Sequence, residues 1–415
     1  MKLLIVNCHT NNRGDEAAVR ALVDNLISIY PNISITLSIR GGSYPNLPKT
    51  VNVIRQYIPS SFKRKIEYCF LLMTKGKFCL TQSTKNYLNE VKKADLVIGA
   101  PGGPSIGDIY YSNEMPYLRG YNLLINLKKP YMFFAPSMGP FKKKQRNHLR
   151  IKVLKKAQAI TLRDPISQRF VKDLDPNIKT FLALDSAFQF DFNVKDNQQK
   201  IQKEPGLIQF LNSHKLIVGI TVTDLKWHPE FSKDTTILNK IKPAFKQFFS
   251  LVLSEKDIGF LFIPQLFGPG DDYSLMNGFG INSTNFYTLP TNDKNIDCYF
   301  QQYLISQLFS VIGMRYHSNI FSAKAGTPFI SISYEQKMTG FMEKEKLSDF
   351  CIPIQDLSSQ LLKQKFDLLC NNYGEYKKYL TESHNRFKKD SMISTEILEK
   401  VLSIINGKEN SKPKV

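Results

Sequence analysis

The feature that most constrains this chain is a rhythm of short apolar-rich runs separated by helical patterns, played through twice. Leu3–Val6, Ile33–Ile39, Leu96–Ile98, Tyr131–Ala135, Ala159–Leu162 and Thr180–Leu184 are such runs, and a helical pattern begins at Asp15. Runs this short belong to strands, and helices between them make the sheet mostly parallel. A polar stretch from Asn193 to Glu204, NVKDNQQKIQKE, then interrupts and reads as a linker. The rhythm restarts with Leu216–Val222, Ile258–Ile263, Val311–Ile312 and Phe329–Ile332. A single core stops growing at roughly 250–300 residues, and this chain has 415. The expectation is therefore two α/β domains, residues 1–195 and 210–375. A C-terminal helix over 376–405 and a disordered tail over 406–415 follow. In open α/β sheets ligands bind outside the carboxyl ends of the strands, so the motifs there carry the functional reading.

Charge narrows the partners. The formal net charge is +20, from 56 Lys and Arg against 36 Asp and Glu, which favours anionic ligands or an anionic surface. No RNP aromatic pair, zinc-finger spacing or basic zipper is present, so nucleic acid is not expected. The six cysteines form no C-x-x-C pair, and no metal cluster is expected; unclustered cysteines fit a reducing cytoplasm. The apolar N-terminal run is too short for a signal segment, and no run reaches membrane-spanning length.

Five segments sit where strands end. Asn11-Asn12-Arg13-Gly14-Asp15-Glu16 follows the first strand. It reads either as a close backbone approach to a ligand at Gly14 or as a plain capped helix start. Gly102-Gly103, in GAPGGPS, permit left-handed backbone, and Pro104 removes a donor. The loop faces substrate or makes a tight turn. Arg163 ends another strand. It either grips an anion bidentately or braces the next helix through Asp164, itself placed as an N-cap before Pro165. Gly313-Met314-Arg315-Tyr316-His317 puts an anion clamp and a proton donor two residues apart at a strand-to-helix junction. Glu335 and Lys337 follow the next strand and add an acid and a cation, unless they only open a solvated helix.

Taken together and in order, NNRGDEA, GAPGG, TLRDPIS, LALDSAF, FIPQ with GPGDD, and MRYHSNIFSAKAGTPFISISYEQK resemble the polysaccharide pyruvyl transferase family, from about residue 3 to about residue 345. The resemblance implies two Rossmann-like domains facing across a cleft, in a GT-B-like arrangement. It implies phosphoenolpyruvate (PEP) as the donor, with no further cofactor. A sugar or lipid-linked oligosaccharide is the implied acceptor, in synthesis of a cell-envelope polysaccharide. Carried over by motif, Arg163, Arg315, His317 and Lys337 bind and activate PEP. Asn12, Gly14, Asp15, Gly102, Gly103 and Glu335 line the substrates, with Asp15 or Glu16 available as a base. The stretch Lys49 to Val91 matches no family motif.

The alternative is a GT-B-type glycosyltransferase with a nucleotide-sugar donor, Glu335 holding the ribose. Within the unmatched stretch, Phe62–Ile66 and Cys69–Met73 form a basic amphipathic segment. Weak peripheral contact of a cytoplasmic protein with an anionic bilayer is expected there, unless the segment simply covers the sheet.

Overall fold

In the computed structural model every residue is described except 41, 43, 45, 104, 105, 269, 270, 282, 292–294 and 408–415. Pro104 and Ser105 of the glycine loop, Pro269 and Gly270 of GPGDD, and the tail from 408 therefore lie outside the described residues.

The first compact unit comprises Met1–Thr10, Ala18–Phe190 and the chain from Lys389 onward. Its strands are β1 (Lys2–Cys8), β2 (Ser34–Ile39), β3 (Val51–Arg55), β4 (Leu96–Gly99), β5 (Tyr131–Phe133), β6 (Thr161–Leu162) and β7 (Phe181–Leu182). Five form one parallel sheet in the order β3-β2-β1-β4-β5; β6 pairs with β7 and joins β5 through a Phe133–Ile160 bridge. Alternate residues of β1 enter opposite layers. Leu3 and Ile5 pack with Val19, Leu22 and Leu26 of helix Arg13–Ile29. Leu4 and Val6 pack with Leu88, Val91, Leu118 and Tyr121 on the other face. A strand buried on both sides is what a continuous apolar run dictates.

The second unit comprises Asn11–Ala17 and Asp191–Lys388. Its strands are β8 (Leu216–Thr221), β9 (Ile258–Phe262), β10 (Phe286–Thr288), β11 (Ser310–Gly313), β12 (Phe329–Ser333) and β13 (Cys351–Pro353). They form one parallel sheet in the order β10-β9-β8-β11-β12-β13. That is the Rossmann order, with its reversal point between β8 and β11. Phe248 and Phe249 of helix Thr235–Leu253 cover β9, the ring centroids of Phe249 and Phe260 lying 4.6 Å apart.

Three expectations need correction. The stretch Asn193–Glu204 is not a linker: Val194–Ile201 is a helix capped by the Asn193 side chain, which accepts from the Asp196 amide. Its polar composition is that of an exposed helix face. The boundary of the first unit is not 195, since the chain changes unit at Phe190–Asp191 and Asn11–Ala17 already belongs to the second unit. The last helix starts at Tyr373, not 376, and runs to Ile405, its residues from Lys389 joining the first unit. Among the described residues no helix is long and apolar enough to cross a membrane.

Candidate active site

The carboxyl ends of β8, β9, β11 and β12 converge on Arg315. Its side chain is almost wholly buried. Its Nε donates to Asp272 Oδ2 at 3.0 Å, its Nη2 also donates to Asp272 Oδ1, and Nη2 reaches Thr223 Oγ1 at 3.1 Å. The guanidinium lies 5.0 Å from the ring of Trp227, whose Nε1 donates to the same Thr223 hydroxyl at 2.8 Å. Burial alone would disfavour the charge, but Asp272 and Tyr334 together more than offset it and raise the guanidinium above its ordinary value. The plane of Arg315 is therefore set before any ligand arrives.

Asp272 has a second task. Its Oδ2 accepts the backbone N–H groups of Gln265 and Leu266, each at 3.0 Å. This fixes the loop after β9, and the segment Asn11–Ala17 docks on that loop. Asn12 bridges Leu266, the Phe267 amide donates to the Asn11 carbonyl, and the Arg13 amide donates to the Gln265 carbonyl at 2.9 Å. Asn12 Oδ1 then caps the helix start by accepting from the amides of Gly14 (2.7 Å) and Asp15 (3.3 Å). Glu16 turns inward, 2.7 Å from Arg13; burial raises its carboxyl despite that partner. Asp15 is half-buried.

His317 lies in the first turn of helix Tyr316–Ala325, directly against this docked segment. A Cβ on Gly14 would collide with the imidazole of His317. The glycine in NNRGDEA therefore answers to the histidine in MRYHS, 303 positions away in sequence.

Glu335 and Lys337 open helix Gln336–Lys344 after β12. They are paired, Lys337 Nζ lying 2.6 Å from Glu335 Oε2, and Lys337 is also 5.8 Å from the ring of Tyr316. Behind Glu335 stands His228, fully buried. The Glu230 amide donates to its Nδ1 at 3.2 Å, so a ring with one proton carries it on Nε2, 3.3 Å from Glu335 Oε1. Burial would push the Glu335 carboxyl up. Lys337 and His228 prevail and hold it well below the usual carboxylate range.

The two helices beginning beside Arg315 and Glu335 have no side-chain cap. The helices opening at Asp234, Asp271, Asp297 and Ser358 in the same unit are each capped by that residue. Two uncapped first turns next to an arginine, a lysine and a histidine suit an anion, because first-turn N–H groups and the helix dipole favour negative charge.

The other expected residues lie in the first unit. Arg163 is fully buried, its Nη1 2.6 Å from Asp185 Oδ2 and its Nε 2.9 Å from Ser137 Oγ. The bracing pair is thus made with Asp185, of LALDSAF. Asp164 instead caps helix Pro165–Leu174 by accepting from the Ser167 amide. The Ser137 amide in turn donates to the Gly102 carbonyl at 3.2 Å. Gly102, at φ +146, needs to be glycine, whereas a Cβ on Gly103 would meet open space. Sequence reasoning assigned no site role to Asp272, Thr223, Trp227 or His228. The signals were the GPGDD acid and the single tryptophan placed just after a strand.

The chain as a whole is similar to UDP-GlcNAc 2-epimerase from Neisseria meningitidis, solved with UDP-GlcNAc. The TM-score is 0.58 and the identity 12%, covering 96% of this chain and 100% of that one. It is similar also to sucrose-phosphate synthase from Thermosynechococcus elongatus, with a TM-score of 0.57 and 11% identity over 98% of this chain and 100% of that one. Two Rossmann-like units with such neighbours define an α/β protein of the GT-B-like fold class. The model of the polysaccharide pyruvyl transferase family matches residues 12–336, and the chain belongs to that family. Amylovoran biosynthesis protein AmsJ of Erwinia amylovora is a relative, 22% identical over 98% of this chain and 100% of that protein.

Proposed function

We propose that this protein transfers the enolpyruvyl group of PEP to a sugar of a cell-surface polysaccharide or its precursor, forming a pyruvate ketal and releasing phosphate. The observation that carries this reading is the clustering of Arg315, His317 and Lys337 at two uncapped helix starts at the carboxyl end of the second sheet. PEP is small and multiply anionic, and its phosphate and carboxylate need fixed cations. Arg315, held flat by Asp272, is the anion clamp, with Lys337 as the second cation. His317 protonates the PEP methylene carbon, leaving C2 electron-deficient. A sugar hydroxyl attacks C2 and gives up its proton; Asp15 is the nearby carboxylate in the docked segment. A second hydroxyl then forms the other C–O bond as the C2–phosphate bond breaks, its proton leaving with the phosphate. Arg163, held by Asp185, positions the first unit's glycine loop through Ser137.

The nucleotide-sugar reading asks Glu335 to hold a ribose, but that carboxylate is buried between Lys337 and His228. Thermal protection separates the two readings. PEP is expected to raise Tm where UDP-sugars do not, and Arg315→Ala to remove the shift. His317→Ala is expected to keep the shift while phosphate release with acceptor falls by roughly 10²–10⁴. Protection by a UDP-sugar and not by PEP, or near-normal turnover in His317→Ala, overturns the proposal.

A further inference from the structure

The helix Phe62–Met73 is laid on the first unit with its apolar stripe outward. Leu71 is buried and holds the helix down, yet Phe62, Ile66, Phe70 and Met73, spaced four, four and three apart, face solvent. Phe62 is 76% exposed and Met73 70%. The loop that follows adds Phe78, 69% exposed, and Leu80, 61% exposed. These six make up most of the large apolar side chains exposed among the described residues. Soluble surfaces rarely gather apolar groups in this way without a partner.

The patch is fixed in place. Glu67, on the inner side of the helix, is 2.7 Å from Arg64 and accepts the amides of Leu80 (3.0 Å) and Thr81 (3.2 Å). One buried carboxylate thus ties the loop to the helix, so the stripe and the loop present a single surface. It is also the only acid between residues 60 and 85. Its charge is used internally, while Lys63, Lys65, Lys75 and Lys77 stand exposed around the apolar groups. An apolar stripe flanked by lysines, in a segment from 60 to 85 that exposes no acid, matches the headgroup region of an anionic bilayer, where apolar groups insert and lysines meet phosphates.

We propose that this face binds the surface of an anionic lipid bilayer, with Phe62, Phe70 and Met73 inserted and the lysines on the headgroups. The inference stands independently of the donor substrate. The full chain is expected to sediment with vesicles of equal parts phosphatidylglycerol and phosphatidylcholine at low salt, and much less with phosphatidylcholine alone. Adding salt weakens binding, because the lysine contribution is screened. Phe62→Ser with Phe70→Ser and Met73→Ser touches only exposed side chains. It is expected to reduce the bound fraction at least about tenfold, with the circular-dichroism melt unchanged. Lys63→Glu with Lys65→Glu is expected to weaken binding to the anionic vesicles alone. Failure of the wild type to sediment with anionic vesicles overturns the proposal, and so does unchanged binding by the serine variant. If light scattering shows a dimer that the serine variant converts to monomer, and no vesicle binding, the partner is a second copy of this chain.

Discussion

At the scale of single residues, Gly14 and His317 form a pair that neither motif shows alone. Glycine at 14 follows the first strand, where a tight turn or a ligand contact is the usual reason for it. Here the reason is the imidazole that fills the space a Cβ would take. Gly14→Ala must displace either the ring or the docked segment. It is expected to cut phosphate release from PEP by roughly tenfold or more, because an angstrom of misplacement is costly at a reacting atom. Helix content and PEP-induced thermal protection should survive. Wild-type turnover in Gly14→Ala would show that His317 tolerates displacement and does not act on the reacting carbon.

At the scale of elements, helix Asn147–Lys155 shows how a basic chain of this kind spends its charge internally. Arg150, fully buried, donates from Nε to Glu114 Oε1 at 2.7 Å and from Nη2 to Asp108 Oδ1 at 2.7 Å. Glu114 also accepts the Gly107 amide at 2.9 Å, so one arginine ties this helix to the loop after Gly102 and to helix Tyr111–Asn126. Removing one partner of a buried pair leaves the other charge uncompensated, so Arg150→Ala should lose about 3–5 kcal/mol of stability. Urea titration of the variant is the check. Legibility follows the same logic of burial. The central strands were readable because each is a buried apolar run. Val51–Arg55, Phe286–Thr288 and Cys351–Pro353 were not, and all three are edge strands with partly exposed side chains. Their exposed positions break the apolar run. The placement of Arg315, His317 and Lys337 at strand ends was legible because each follows a buried apolar run. Asp272 was read only as part of a motif, since a carboxylate's partner 43 positions on is set by tertiary packing.

At the scale of the whole molecule, a buried cation that its partners do not fully compensate makes stability depend on pH. Lys324 is nearly fully buried beside Gln302 Oε1 at 3.0 Å, and burial lowers its ammonium from 10.5 to about 8, with Asp191 opposing. In the unfolded chain the ammonium keeps its ordinary affinity for a proton. Between pH 8 and 10.5 the unfolded state therefore binds more protons than the folded one, and stability rises with pH across that window. Below it the full cost is present, on the order of 3 kcal/mol. Lys324→Met is expected to be more stable than wild type at neutral pH, with the advantage shrinking as pH approaches 10.5. A gap that is constant across the window would mean that Lys324 is not the group responsible.

The route of the chain has a consequence for its biosynthesis. Ile397, Leu398, Val401 and Leu402 complete the same apolar layer as Leu3 and Ile5. That layer stays open until the ribosome has made the whole second unit, a wait of roughly 10–40 s at the usual elongation rates. During that time the apolar floor beneath β1 is bare to chaperones, proteases and neighbouring nascent chains. A transcript truncated before Ile397 therefore yields a first unit with an unfilled core, and the polypeptide cannot be divided at Phe190 into two pieces that each mature alone.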